Sequence, residues 1–216
     1  MKKLIFVIIL MFIGMFTYAQ KLEGVGKFII GETTSDIIKN IEKETGVQHI
    51  LMSKIDLYDD LYEKEYNDIK IYEILIDTTF SCKNSKVFYI SEYTISNIKY
   101  RNVFLVFNDN LLVEFRCDKS TEIDVLFARK YGRPYIYQKD LTNQESSTLK
   151  YDEHIKRFIW KYLNINAISF EKIQVFEGVQ RVAVSIFIIY DRNHKYVIND
   201  CDIFIGNLEN IKIEDI

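Results

Sequence analysis

Three histidines are the side chains best suited to acid–base chemistry in this chain of 216 residues. His49, His154 and His194 do not fall within any short span, so a metal site or a catalytic triad would have to be assembled over long range. We therefore expect each histidine to have a surface or turn role. A secreted hydrolase that uses His154 or scattered carboxylates is the alternative that these residues allow.

Short catalytic and cofactor-binding motifs are missing from the sequence. It contains no HExxH, no GxSxG, no P-loop, no dinucleotide-binding glycine fingerprint and no EF-hand loop. We therefore predict a protein that is not an enzyme, with no catalytic residue, no cofactor and no metal site.

Two groups of carboxylates have a spacing that brings them together. A helix over residues 53–66 would place four of them on one face: Asp56, Asp59, Asp60 and Glu63. A regular helix holds these groups too far apart to surround one Ca²⁺ ion, which indicates a solvated face. Asp200 and Asp202 would share one side of a strand, where edge-strand solubility explains them better than proton transfer.

The cysteines Cys82, Cys117 and Cys201 are odd in number, so they cannot all pair. Cys117 ends an alternating apolar run, which favours a buried free thiol. If one disulfide forms, the shorter loop favours Cys82 with Cys117, and the chain-entropy model gives it about 3–4 kcal/mol. No pair has the CxxC spacing of a redox or zinc site.

Tyrosine is abundant, with 15 residues in the chain. Tyrosine is a good strand residue and is also enriched at protein interfaces. The structural role is the simpler explanation, but the pattern also allows an aromatic contact face, made of Tyr58, Tyr62, Tyr66, Tyr135 and Tyr137.

The amino-terminal residues have the three parts of a secretory signal peptide. Lys2 and Lys3 precede the apolar residues 4–16, and small residues precede Gln20. The apolar run is shorter than the about 20 residues of a membrane-spanning helix, so we predict cleavage after Ala19, with an uncleaved anchor as the alternative. Residues 20–216 would then reach the periplasm or the medium without a membrane span. The net charge of −3 gives no reason to expect nucleic acid as a partner.

Two strand–helix units are predicted from the local pattern. Residues 27–31 read as a strand, after which Thr33 and Asp36 open a helix that ends at Gly46. A strand over residues 112–117 precedes a second helix, which Thr121 opens and which ends near Gly132.

The remaining pattern is mostly strand-like. We predict strands over residues 69–76, 86–90, 93–100, 102–107, 155–163, 167–175, 181–190 and 195–198. Asn108-Asp109-Asn110 and Asp191-Arg192-Asn193 predict turns, and strands joined by short turns are antiparallel. The predicted fold class is α+β, an antiparallel sheet or two with a few helices packed on one face. Residues 20–216 form a single domain in this interpretation, with a duplication near 20–117 and 118–216 as a variant of it.

Three short stretches carry a resemblance to known families. They are residues 28–34, with Gly31 and Thr33 before a helix, residues 105–112, with an Asn-Asp-Asn turn, and residues 130–134, Lys-Tyr-Gly-Arg-Pro. The plan resembles uncharacterised small exported proteins of Gram-negative bacteria and is similar to the BLIP and SmpA/OmlA (BamE-like) α+β modules. The resemblance implies a non-catalytic module that binds a protein or an envelope component, and it transfers no functional residues.

Overall fold

The computed structural model describes residues 21–53, 56–57, 68–76, 84–146 and 149–194. In chain order its elements are β1 (Gly24–Val25), β2 (Phe28–Ile29), α1 (Ile37–Thr45), β3 (Ile50–Ser53), β4 (Ile71–Leu75), β5 (Ser85–Ile95), β6 (Ile98–Asn108), β7 (Leu111–Asp118), α2 (Thr121–Tyr131), β8 (Tyr135–Ser146), β9 (Leu149–Tyr162), β10 (Ile165–Phe176) and β11 (Val179–Asp191), followed by a 3₁₀ turn at Arg192–His194. In this part of the chain, no helix has the length and apolarity needed to cross a bilayer.

One large sheet holds nine of the strands in the order β3-β4-β5-β6-β7-β11-β10-β9-β8. All neighbouring strands are antiparallel except β3 and β4, which are parallel. The α+β class is confirmed, although strands dominate. The pattern did not predict β3 or β8, and the parallel pair departs from the all-antiparallel prediction.

Both helices pack into the same apolar cluster as one face of the sheet. Ile38 and Ile41 come from α1, and Ile123 and Phe127 come from α2. The sheet side of this cluster includes Phe88, Leu105, Phe107, Phe115, Trp160, Phe187 and Ile189. Burial of large side chains in one continuous core is the main contribution to stability of such a layered fold.

The opposite face of the sheet carries two smaller apolar clusters. One includes Tyr72, Val87 and Val106, and the other includes Ile168 and Ile188. Because side chains alternate along a strand, β7 directs Phe115 to the helix face and its neighbours Glu114 and Arg116 to this second face.

Helix α1 ends as predicted but begins later than predicted. Gly46 is in the left-handed region at φ 73°, and its N–H donates to the Glu42 carbonyl at 2.8 Å. The prediction that Thr33 opens the helix was wrong, because the helix begins at Ile37 and Asp36 makes no side-chain cap. Thr33 Oγ1 instead accepts from the Ile29 N–H at 2.8 Å and donates to the Lys27 carbonyl at 3.0 Å. Its hydroxyl therefore binds the backbone of β2 and of the turn before it, and the predicted strand over residues 27–31 is reduced to β2.

Helix α2 matches its predicted ends, but a different residue caps it. Ser120 is the N-cap, and its side chain accepts from the Ile123 N–H at 3.3 Å, so the prediction of Thr121 as the cap was wrong. Glu122 and Asp124 in the first turn, and Arg129 and Lys130 in the last turn, complement the helix dipole.

The predicted turn of Asn and Asp residues is present, and a further turn divides one predicted strand. Asp109 and Asn110 have φ of 48° and 65°, which confirms the predicted turn between β6 and β7. Ser96 and Asn97 also have positive φ and reverse the chain between β5 and β6. The prediction of one strand over residues 93–100 was therefore wrong, since this stretch contains the end of one strand, a turn and the start of the next.

A helix followed by antiparallel strands occurs twice along the chain. The antiparallel strands β4 to β7 come after α1 and the parallel strand β3, and strands β8 to β11 follow α2. The two groups meet where β7 pairs with β11. The single-domain interpretation and the duplication near 20–117 and 118–216 stay predictions.

Candidate functional site: an aromatic cavity with two cations

A cavity of about 310 Å³ opens where α2 ends and β8 begins. Its lining comes from the start of the described chain, the end of α2, the connection to β8 and the end of β9: Leu22, Tyr131, Arg133, Tyr135, Ile159, Trp160, Lys161 and Tyr162. Concave sites with aromatic walls and a few polar groups are typical ligand-binding sites. We call this site the aromatic cavity.

Long-range hydrogen bonds hold two of its aromatic walls. Trp160 Nε1 donates to the Gly132 carbonyl at 2.9 Å, which fixes the end of α2 to β9. The Tyr131 hydroxyl donates to the Gly24 carbonyl at 3.0 Å, which ties the same helix end to the β1–β2 hairpin. Trp160 is buried and packs edge-on against Phe127 with a centroid distance of 5.6 Å. These walls are therefore preorganised by the core and not by a flexible loop.

The charge of the aromatic cavity is positive. Arg133 and Lys161 are its charged lining residues, both are exposed, and no carboxylate contributes to the lining. Within the described residues, neither cation forms an ion pair. The whole chain has a net charge of −3, so the cavity contrasts with the rest of the molecule. Such a site fits a ligand with an acidic group next to apolar or planar surface.

Two residues of the predicted tyrosine contact face, Tyr135 and Tyr137, lie on β8. Tyr135 is 67% exposed and lines the aromatic cavity. Tyr137 lies two residues further on the same side of β8 and is half-buried, with the Arg157 guanidinium 5.3 Å from its ring centroid. The other three residues of the predicted face, Tyr58, Tyr62 and Tyr66, lie outside the described residues.

The histidines lie on different elements, and each is beside a carboxylate. The nitrogen–oxygen distances are 2.7 Å for His49 and Glu42, 2.7 Å for His154 and Asp140, and 3.3 Å for His194 and Asp191. The His154 and Asp140 side chains are cross-strand neighbours, 49% and 73% exposed. None of the three histidines lines the aromatic cavity.

The predicted carboxylate groups lie mostly beyond the part of the chain that the structure describes. Of these residues only Asp56 is described, and its Oδ2 accepts from the Ser53 hydroxyl at 2.5 Å. Asp59, Asp60, Glu63, Asp200 and Asp202 lie outside it. In the described ranges, no group of three or more His, Cys, Asp or Glu side chains is arranged to hold a metal ion.

Cys117 is buried on the helix face of β7 and has no disulfide partner among the described residues. It is 1% exposed, and burial raises the pKa of its thiol well above the ordinary value. Its proposed disulfide partner Cys82 lies outside the described residues, as does Cys201, so the pairing stays a prediction.

A buried ion pair lies along β7 on the second face of the sheet. Arg116 Nη2 donates to Glu114 Oε1 at 2.6 Å, and the two side chains are 7% and 1% exposed. Burial raises the pKa of Glu114, and the neighbouring guanidinium acts against that rise. Glu114 lies opposite Tyr190 of β11, at the junction of the two groups of strands. Neither residue lines the aromatic cavity, and we assign the pair a structural role.

The pattern of the sequence did not single out most of the aromatic cavity. Tyr131, Gly132 and Arg133 belong to the Lys-Tyr-Gly-Arg-Pro stretch, which predicted only a helix end. Trp160, Lys161 and Tyr162 lie in a predicted strand, and Leu22 is remote in sequence. The available signal was the single tryptophan of the chain beside a lysine and a tyrosine, immediately before the turn that leads into β10.

The fold and the cavity together define an α+β protein with a preorganised, aromatic and cationic surface site. No family model matches the chain, and no curated protein or solved structure is significantly similar to it.

Proposed function

We propose that this chain is an exported, non-enzymatic binding module that binds a protein or cell-envelope component through the aromatic cavity. The main support is the combination of preorganised aromatic walls with two cations, Arg133 and Lys161. Neither cation has an acidic partner among the described residues. Trp, Tyr and Arg are the side chains that dominate binding energy at protein interfaces. The predicted signal peptide, which lies outside the described residues, supports export to the periplasm or the medium.

The alternative, a secreted hydrolase, gains little support from His154. Its contact with Asp140 is on an exposed two-strand surface, outside the aromatic cavity. General acid–base catalysis requires such a pair to face a bound substrate at hydrogen-bond distance. We therefore prefer the binding module.

Co-purification from the producing cell tests the proposal. The tagged wild-type chain is compared with Arg133→Gln/Lys161→Gln, and bound material is quantified by mass spectrometry. The matched control is Lys43→Gln/Arg181→Gln, which removes the same charge from exposed residues of α1 and β11. We expect a component that the wild type and the control retain and the cavity variant loses by about 10-fold or more, since charge-assisted hydrogen bonds contribute about 1.5–3 kcal/mol. Retention by all three chains, or by none, would contradict the proposal.

A further inference from the structure

Strand β8 is an edge strand of the sheet that the described residues form, and it begins next to the aromatic cavity. It is the last strand in the sheet order, so among the described strands it has a neighbour, β9, on one side alone. Its pairing with β9 is regular from Tyr135 to Leu141, after which the register shifts and Asn143 has φ of 54°. A β-bulge of this kind ends regular pairing, so residues 135–141 form the part of the edge that can accept another strand.

The start of this edge coincides with the two cations. Tyr135, the first residue of β8, lines the aromatic cavity, and Arg133 is two residues before it. A peptide that pairs antiparallel with β8 would therefore end at the cavity, and a parallel peptide would begin there. Arg133 and Lys161 repel the ammonium group of an amino terminus and attract a carboxylate. The charge of the site thus selects the antiparallel direction.

Both faces of the edge offer apolar contact area. Tyr135 is 67% exposed and Ile136 is 43% exposed, and successive residues of a strand point to opposite faces. An added strand would gain backbone hydrogen bonds from β8 and side-chain contacts on each face, as in other cases of strand addition.

We propose that residues 135–141 of β8 bind the extended carboxy-terminal segment of a partner protein, antiparallel to β8, with the terminal carboxylate held between Arg133 and Lys161. This inference rests on the proposed function, because it identifies the partner of the same cavity. It excludes an acidic polysaccharide, which has no backbone amides to pair with the edge.

Trp160 is the only tryptophan of the chain and lies in the cavity wall, so its fluorescence reports on this site alone. The probe is a pool of randomised, tryptophan-free octapeptides with a free carboxy terminus, selected on the immobilised full chain. The best binder is then titrated in solution, in parallel with its carboxy-terminal amide and with two N-methylated versions, one for each set of alternating backbone amides.

We expect saturable changes in Trp160 emission with the free acid, and affinity about 10-fold or more weaker with the amide. One of the two N-methylated versions should bind more weakly by a similar factor. Methylation of the backbone amides that point towards β8 removes the donors of the hydrogen bonds between peptide and strand. Arg133→Gln/Lys161→Gln should lose the preference for the free acid, and Lys43→Gln/Arg181→Gln should keep it.

Equal affinity for acid and amide, or equal affinity of the unmodified peptide and both N-methylated versions, would overturn the inference. A response of Trp160 to oligogalacturonate that depends on Arg133 and Lys161, with no octapeptide bound, would also overturn it and leave the binding function of the cavity intact. If neither probe binds and co-purification does not depend on the two cations, both proposals fail.

Discussion

Glu114 and Arg116 place two opposite charges on the buried second face of the sheet, with a nitrogen–oxygen distance of 2.6 Å. Removal of one partner of a buried ion pair leaves a buried charge without compensation, which costs about 3–5 kcal/mol. Exposed pairs contribute about 1 kcal/mol or less. The Glu92–Lys99 pair of β5 and β6, at 2.7 Å and partly exposed, is a suitable reference for the second kind.

We predict that Glu114→Gln lowers the free energy of unfolding by about 3–5 kcal/mol, whereas Glu92→Gln lowers it by about 1 kcal/mol or less. Urea denaturation followed by circular dichroism measures both. The double variant Glu114→Leu/Arg116→Met should regain most of the stability, because it removes both charges. Equal losses for Glu114→Gln and Glu92→Gln would show that the pair is not buried as described.

Cys117 should react slowly in the native protein, because its thiol is buried and the pKa of the thiol is raised. The thiolate is the reactive form, so both properties protect this cysteine. In Cys82→Ser/Cys201→Ser, we expect no reaction with Ellman's reagent at pH 8 in the native state and complete reaction in guanidinium.

The wild-type chain tests the predicted disulfide in the same assay. If Cys82 pairs with Cys117, denatured and unreduced protein leaves Cys117 unmodified, and reduction exposes it. Rapid native labelling of the double variant would contradict the burial of Cys117.

At the scale of elements, the two helix starts show how similar local patterns acquire different roles. Thr33 has the spacing of a capping residue, but its hydroxyl bonds to the β1–β2 hairpin. Ser120, which the pattern did not single out, caps α2. Three-residue spacing identifies a helix start to within a few residues, and tertiary contacts then decide which hydroxyl caps it.

Capping of α2 can be tested with adjacent residues. Ser120→Ala should lower the free energy of unfolding by about 1 kcal/mol, because it removes the acceptor for the Ile123 N–H. Thr121→Ala should be nearly neutral, since Thr121 is exposed and alanine is a better helix former. Thermal or urea unfolding of both variants measures the difference. A larger loss of stability for Thr121→Ala than for Ser120→Ala would contradict the assignment of Ser120 as the N-cap.

The sequence predicted elements that local chemistry specifies and missed those that depend on distant partners. Asn108, Asp109 and Asn110 predicted their turn because Asn and Asp tolerate positive φ. The turn at Ser96 and Asn97 was missed because apolar residues continue the strand pattern on both sides. Strand β8 was missed because an edge strand with polar residues lacks the alternation of a half-buried strand.

The candidate site was less predictable than the fold. Tyr135 was selected for its residue type, and it does line the cavity. The cavity itself depends on the Trp160–Gly132 and Tyr131–Gly24 hydrogen bonds, which join residues that are far apart in the chain. Such contacts leave no local periodicity in the sequence.

At the scale of the whole molecule, the two ends of the strands β8 to β11 have different character. The cross-strand register places Tyr135 level with Ile159 and Ile188 of the apolar cluster on the second face. It places Leu141 level with the polar residues Glu153, Gln174 and Arg181 of β9 to β11. The aromatic cavity therefore lies at the well-packed end, where its walls are fixed. Exposed Val182 lies at the opposite end and serves as a control position.

Site-specific photocrosslinking in the producing cell shows whether a partner binds at the aromatic cavity. The photoreactive residue p-benzoylphenylalanine replaces Tyr162 in one chain and Val182 in another. We predict a discrete crosslinked product at Tyr162 that disappears in the Arg133→Gln/Lys161→Gln background, and no such product at Val182. Absence of a product at Tyr162, or the same product at both positions, would contradict the account.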